Sequence, residues 1–127
     1  MSDLPEHLYY TADHEWIRID GDELVVGITD HAQDALTDIV YVELPDVGMI
    51  IEEQDEFASI ESVKSVSGIF APLSGSISKV NEELDDSPEL INQDPYGAGW
   101  IVRIVPTDLD AVNGLLNASS YRELIGE

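Results

Sequence analysis

The chain has no cysteine. That excludes a disulfide framework, a thiolate metal site and any thiol nucleophile of its own. Basic residues are nearly missing as well: Arg18, Lys64, Lys79, Arg103 and Arg122 stand against 27 acidic residues, for a formal net charge of −22. Neutralising a nucleic-acid backbone takes clustered Lys and Arg. These five are scattered, which argues against nucleic acid as a partner, and an anionic membrane surface is disfavoured for the same reason. No apolar run approaches the ~20 residues of a membrane span. The opening stretch, MSDLPEHLYY, has neither the basic nor the apolar region of a signal peptide. The chain reads as a cytoplasmic protein with no membrane association.

What is present suffices for a core. A chain of 127 residues with 43% hydrophobic content buries roughly two thirds of its unfolded surface, and one domain over residues 1–127 is expected. The apolar residues come in short runs broken by turn signals: Glu15 to Ile19, Leu24 to Ile28, Ile39 to Leu44, Phe57 to Val63, Val66 to Ala71, Ser76 to Val80 and Trp100 to Val105. Short strands at this spacing point to a mainly β sandwich or small barrel rather than to βαβ units. Helices are minor. Asp30 to Leu36 reads as one or two turns. Ser87-Pro88-Glu89 reads as an N-cap with proline at the first helical position. Leu109, Val112, Leu115 and Leu116 fit one helical face, and Ser120 to Glu123 fits a capping box for a last short helix.

The case for catalysis by the chain itself is weak. His7, His14 and His31 have no zinc-ligand spacing. Asp30, Asp34 and Asp38 could share a helical face and attract a cation, but a solvated acidic face is the more economical reading. Asp20-Gly21-Asp22-Glu23 lacks the ligand spacing of a calcium loop and reads as a hairpin turn. Lysine is the unusual residue. There are only two, and Lys64 stands between two β runs in Glu61-Ser62-Val63-Lys64-Ser65. An amine on a four-carbon stem at a hairpin tip is what an acylating enzyme needs, although geometry alone favours a solubilising turn lysine.

Glu61-Ser62-Val63-Lys64-Ser65 resembles the lipoyl-attachment hairpin of the glycine cleavage H-protein family. Five further runs are similar to that family in the same order: His14-Glu15-Trp16, Gly27 to Asp34, Val42 to Pro45, Ala71 to Gly75 and Asn92 to Gly97, with Gly99-Trp100 and the helical tail beside them. The resemblance covers nearly the whole chain. It implies a barrel-sandwich hybrid of the lipoyl and biotinyl carrier type, with a lipoyl-binding core over 23–105 and a C-terminal helical tail over 106–127. It further implies a non-catalytic carrier with lipoate joined by an amide to Lys64. Such a carrier takes an aminomethyl group from a pyridoxal-phosphate glycine decarboxylase to a tetrahydrofolate-dependent aminomethyltransferase. Its other partners are dihydrolipoyl dehydrogenase and a lipoate-attaching enzyme, and a shuttling role suits a monomer.

By the same resemblance, Glu61 would serve recognition by the lipoylating enzyme, although it is also one surface glutamate among many. His14 and Glu15 would lie beside the docked arm. The chain departs from the family at Gly68, where many members carry an acidic residue, so sheltering of the arm would fall to other groups. The rival readings are a lipoyl domain of a 2-oxoacid dehydrogenase, a biotin carrier, an H-like protein that relays lipoyl groups to other enzymes, and an unmodified acidic binding protein.

An acidic surface this lean in lysine repels itself when salt is low, since charges are screened over about 8 Å at physiological ionic strength. This composition points to a high-salt interior. The expected outcome is an unfolding midpoint that rises from low to molar potassium chloride; a flat or falling midpoint counts against it.

Overall fold

The computed structural model describes residues 3–127; Met1 and Ser2, which begin the stretch read for a leader, lie outside the described residues. The strands are β1 (Tyr9–Tyr10), β2 (Glu15–Asp20), β3 (Glu23–Ile28), β4 (Ile39–Glu43), β5 (Ile50–Ile51), β6 (Glu56–Ser62), β7 (Val66–Phe70), β8 (Gly75–Val80) and β9 (Val102–Pro106). Short helices interrupt them: α1 (Asp30–Leu36), α2 (Glu83–Asp86), α3 (Leu90–Gln93), a 3-10 turn over Leu109–Gly114 and α4 (Ala118–Leu124). The strands form a six-stranded antiparallel sheet in the order β1-β2-β3-β9-β8-β5 and a three-stranded one in the order β4-β6-β7. The protein is mainly β, as the sequence implies, and both sheets are open at their edges. No helix among the described residues is long and apolar enough to cross a membrane.

The main core lies between the sheets. Ile17, Leu24 and Val26 from the larger sheet meet Val42, Ile60 and Ile69 from the smaller one. A second cluster covers the outer face of β2 and β3, where Trp16 and Val25 pack against Leu4, Leu8, Tyr10, Ala118 and Tyr121. This second layer explains why β2 does not alternate in burial. Glu15, Trp16 and Ile17 are all buried, because the N-terminal segment and α4 close the face that the pattern assigns to solvent.

Four local expectations are corrected. Ser87 caps the C-terminal end of α2 rather than starting a helix, and α3 begins at Leu90 with no side-chain cap. The residues Leu109 to Gly114 form a 3-10 turn, and Leu116 leaves it to bridge Tyr10 as a strand would. The last helix is capped by Asn117, whose side chain accepts from the Ser120 N–H at 2.8 Å; an earlier capping residue satisfies the donor and draws Ser120 inside the helix. Asp38 lies beyond the end of α1, so Asp30, Asp34 and Asp38 do not share a helical face.

Glu15 ties the two sheets together. It is only 1% exposed, and one carboxylate oxygen accepts from the backbone N–H of Phe70 on β7 at 2.8 Å. The other accepts from the Thr11 hydroxyl at 2.9 Å. Burial outweighs these two hydrogen bonds and pushes its pKa up to about 7. A carboxyl group raised in the fold above its unfolded value adds most to stability while protonated, and that contribution is lost as pH rises through about 7. Glu15→Gln removes the buried charge. Its melting temperature relative to the native chain is therefore expected to be more favourable at pH 8 than at pH 5, and a pH-independent difference would refute the account. A second expectation concerns Gly27, where an added Cβ would sit 2.7 Å from the Trp16 ring, a side chain that is fully buried. Gly27→Val overpacks this contact and should cost about 1–3 kcal/mol in denaturant unfolding.

Candidate functional site

Lys64 stands at the tip of the hairpin formed by β6 and β7, and Ser62 shapes that tip. The Ser62 hydroxyl receives the N–H groups of Lys64 and Ser65 at 3.2 and 3.0 Å, and the Ser62 N–H donates to the Ser65 carbonyl at 2.8 Å. The Val63 N–H donates to the Asp38 carbonyl at 3.1 Å, which pins the turn to the segment following α1. The backbone is thus fixed while the Lys64 side chain remains exposed. Its Nζ donates to the Ala35 carbonyl, near the end of α1, at 3.2 Å, where the unpaired carbonyls of a helix end attract a cation. Val63 and Val66 on either side are 68% and 66% exposed, apolar groups in water beside the one amine. Glu61 is exposed, in register with Tyr41 on β4 and Val66 on β7.

Ala35 also lines a cleft of about 170 Å3, so the Lys64 amine sits at its rim. Ile28, Leu36, Ile60 and Ile69 give the cleft an apolar wall, and Asp13, His14, Glu15 and His31 give it a polar one. The structure thus brings Lys64, His14 and Glu15 to one region. Glu61 lies apart from the cleft lining, on the exposed side of the hairpin. A larger groove of about 440 Å3, lined by Glu43, Asp46, Glu56 and Phe57, lies toward the opposite end of β6 and has neither a histidine nor a lysine.

His14 is held in an uncommon way. Its φ is +69°, a left-handed conformation that is sparsely used outside glycine and is found where surrounding contacts enforce it. Here Thr11 enforces it: the His14 N–H donates to the Thr11 carbonyl at 3.1 Å, and the Thr11 hydroxyl also takes the N–H groups of Asp13 and Glu15. The His14 carbonyl accepts from Thr29 at 3.0 Å. Its Nδ1 lies 2.7 Å from the Tyr121 hydroxyl, and its ring centre is 5.2 Å from that of His31. Burial, and then the neighbouring His31, push its pKa down. His31 Nδ1 lies 3.8 Å from a Glu127 carboxylate oxygen, and an Arg122 guanidinium nitrogen lies 3.7 Å from the other.

Thr11, Thr29, Ser62 and Tyr121 carry this geometry together with His31, and the sequence alone gives none of the five a role. Ser62 had a local signal, a hydroxyl two residues before the tip lysine. Tyr121 had none, since its partners Thr29 and His14 lie 92 and 107 residues away in the chain. At Gly68, the space that a Cβ would take is filled by the Glu56 carboxylate, so an acidic group does approach this position, from β6.

Comparison with known proteins agrees with the geometry. The glycine cleavage H-protein family matches residues 8–127. The glycine cleavage system H protein of Herpetosiphon aurantiacus is 54% identical over 127 residues, covering 100% of this chain and 97% of that one. The one from Thermus thermophilus is 51% identical, covering 97% and 96%. The crystal structure of a glycine cleavage system H protein from Mycobacterium marinum superposes with a TM-score of 0.89 at 45% identity, covering 98% of this chain and all of that one. With its full length matched in sequence and 98% of it in fold, the chain belongs to the glycine cleavage H-protein family.

Proposed function

We propose that this chain is the lipoyl-bearing aminomethyl carrier of a glycine cleavage system, with Lys64 as the attachment residue. The observation that carries this reading is the placement of Lys64: an exposed amine on a rigid tip, at the rim of a cleft that is apolar on one wall and polar on the other. The chain's residues fit the group. A lipoyl amide needs an accessible lysine amine, and the apolar wall of Ile28, Leu36, Ile60 and Ile69 suits a hydrocarbon arm. Lipoate, once attached, supplies the reversible dithiol and disulfide chemistry that a cysteine-free chain cannot.

The residues divide the work. Ser62 orders the turn so that Lys64 can be acylated without disturbing β6 or β7. Glu61, three residues earlier on the exposed side, marks the hairpin for the lipoate-attaching enzyme. His14 and Glu15 line the polar wall beside the docked arm. No residue acts as a catalyst; the chain binds, shelters and presents. A tethered cargo is met by each partner at high effective concentration. Those partners are the glycine decarboxylase, the aminomethyltransferase and dihydrolipoyl dehydrogenase, visited in turn by a monomer in the cytoplasm. Amide formation also removes the Lys64 charge and deepens the acidity of the surface.

Lys64→Arg tests the assignment. An exposed tip position tolerates the change within about 0.5 kcal/mol of unfolding free energy. Incubation with a lipoate-attaching enzyme should add the mass of one lipoyl group to the native chain and nothing to the variant. Glycine–bicarbonate exchange with glycine decarboxylase should vanish in the variant. Lipoylation of Lys64→Arg, or an unmodified native chain after exposure to a competent enzyme, refutes the reading.

A further inference from the structure

We propose that Tyr121 is a positioning residue of the cleft: a one-way hydrogen-bond relay from Thr29 through Tyr121 fixes His14 as the neutral imidazole with its proton on Nε2. The inference rests on the carrier reading for its purpose, but not for its geometry.

The argument is one of satisfying hydrogens. Thr29 and Tyr121 are fully buried. The Thr29 hydroxyl oxygen caps α1 by accepting from the Ala32 N–H at 3.2 Å. Its one hydrogen has a single acceptor among the described residues, the Tyr121 hydroxyl oxygen at 2.9 Å. Tyr121 must then give its own hydrogen to His14 Nδ1 at 2.7 Å. The reverse order, with Nδ1 donating to Tyr121 and Tyr121 to Thr29, strands the Thr29 hydrogen in a buried site. Protonation of His14 requires that same reversal, because both ring nitrogens of an imidazolium are donors. The relay therefore opposes the charged ring as well as selecting the tautomer.

The groups around the ring do not undo this. Asp13, in its own turn, favours the imidazolium, while burial and His31 on α1 disfavour it more strongly. Glu15 on β2 has both oxygens engaged by Thr11 and Phe70, and Glu127, past α4, reaches His31 instead. Tyr121 remains a phenol, its pKa pushed up to about 12 by burial. The positive φ of His14 adds an independent reason to assign the ring a role. Glycine takes that backbone conformation without strain, so a histidine held there is held for its side chain. The consequence for the cleft is an uncharged imidazole, rather than an imidazolium, on its polar wall. Aminomethyl cargo ends in an amine that is cationic at neutral pH, and an imidazolium at this place would repel it.

Long-range 1H–15N NMR on the unlipoylated protein tests the relay. In the native chain, His14 Nδ1 should be unprotonated and Nε2 protonated, with a titration midpoint below the usual histidine range. Tyr121→Phe keeps the ring and loses the hydroxyl; it should give mixed tautomers and raise the midpoint by about one pH unit. Thr29→Val should do the same from the other end of the relay, while Thr29→Ser should keep the native spectrum. A native Nδ1–H tautomer overturns the proposal, as does an unchanged His14 spectrum in folded Tyr121→Phe and Thr29→Val. On protein loaded with cargo, Tyr121→Phe should speed its loss to solvent severalfold; an unchanged rate overturns the sheltering role. If the spectra behave as expected but Lys64 is never lipoylated, the relay stands and the carrier reading falls.

Discussion

The buried carboxylate of Glu15 is the contact on which the geometry of this protein depends. The chain carries 27 acidic residues, and the others described are at least partly exposed. Burying this one costs enough to push its pKa to about 7, so the fold keeps it in spite of the cost. Its position explains why. Its two oxygens join the turn before β2 to the backbone of β7, linking the larger sheet to the hairpin that carries Lys64. The cleft lies along that seam, with Glu15 at its polar wall. An apolar side chain at this position would fill the volume but could not hold Phe70 in register with the His14 turn.

With that seam fixed, the protein separates rigidity from mobility within a few residues. Ser62 is buried and its hydroxyl satisfies two backbone N–H groups of the turn, while Lys64, two residues on, is exposed. Attachment to the segment after α1 through the Asp38 carbonyl, and to α1 itself through the Ala35 carbonyl, aims the lysine at the cleft rim. Only the backbone of the tip is anchored strongly, since one hydrogen bond from an exposed ammonium adds little. Acylation of the amine would give up that bond and leave the Ser62 and Asp38 contacts in place.

The sequence made the strands legible wherever one face of a strand meets the core, as in β6, and the tip lysine was legible because lysine is so rare here. It misled where a residue's environment comes from a distant segment. The burial of all of Glu15, Trp16 and Ile17 depends on Leu4, Leu8 and α4, which no local period encodes. The two misplaced helix starts, at Ser87 and Ser120, share one cause: both residues have capping chemistry, but Ser87 lies where α2 ends, and Asn117 had already taken the capping role ahead of Ser120. The relay to His14 joins residues 92 and 107 positions apart, and neither a tyrosine nor a threonine announces such a partner.

The charge distribution gives the tip a character different from the rest of the surface. Residues 62–81 contain no aspartate or glutamate and hold both lysines, although the chain as a whole carries a formal net charge of −22. This stretch runs from the tip through β7 and β8, so β7 has no acidic residue of its own, and the carboxylates that reach it, at Gly68 and Phe70, come from Glu56 and Glu15. Long-range attraction of a partner with a basic rim would come from the acidic remainder, and such steering sets how fast partners meet more than how tightly they hold. Close contact at the tip would instead involve the exposed Val63 and Val66 beside a single lysine, none of which demands a strong ionic partner. A carrier protein that meets several partners is served by that division: fast approach through the field of the whole protein, and a contact surface of modest affinity at the hairpin tip.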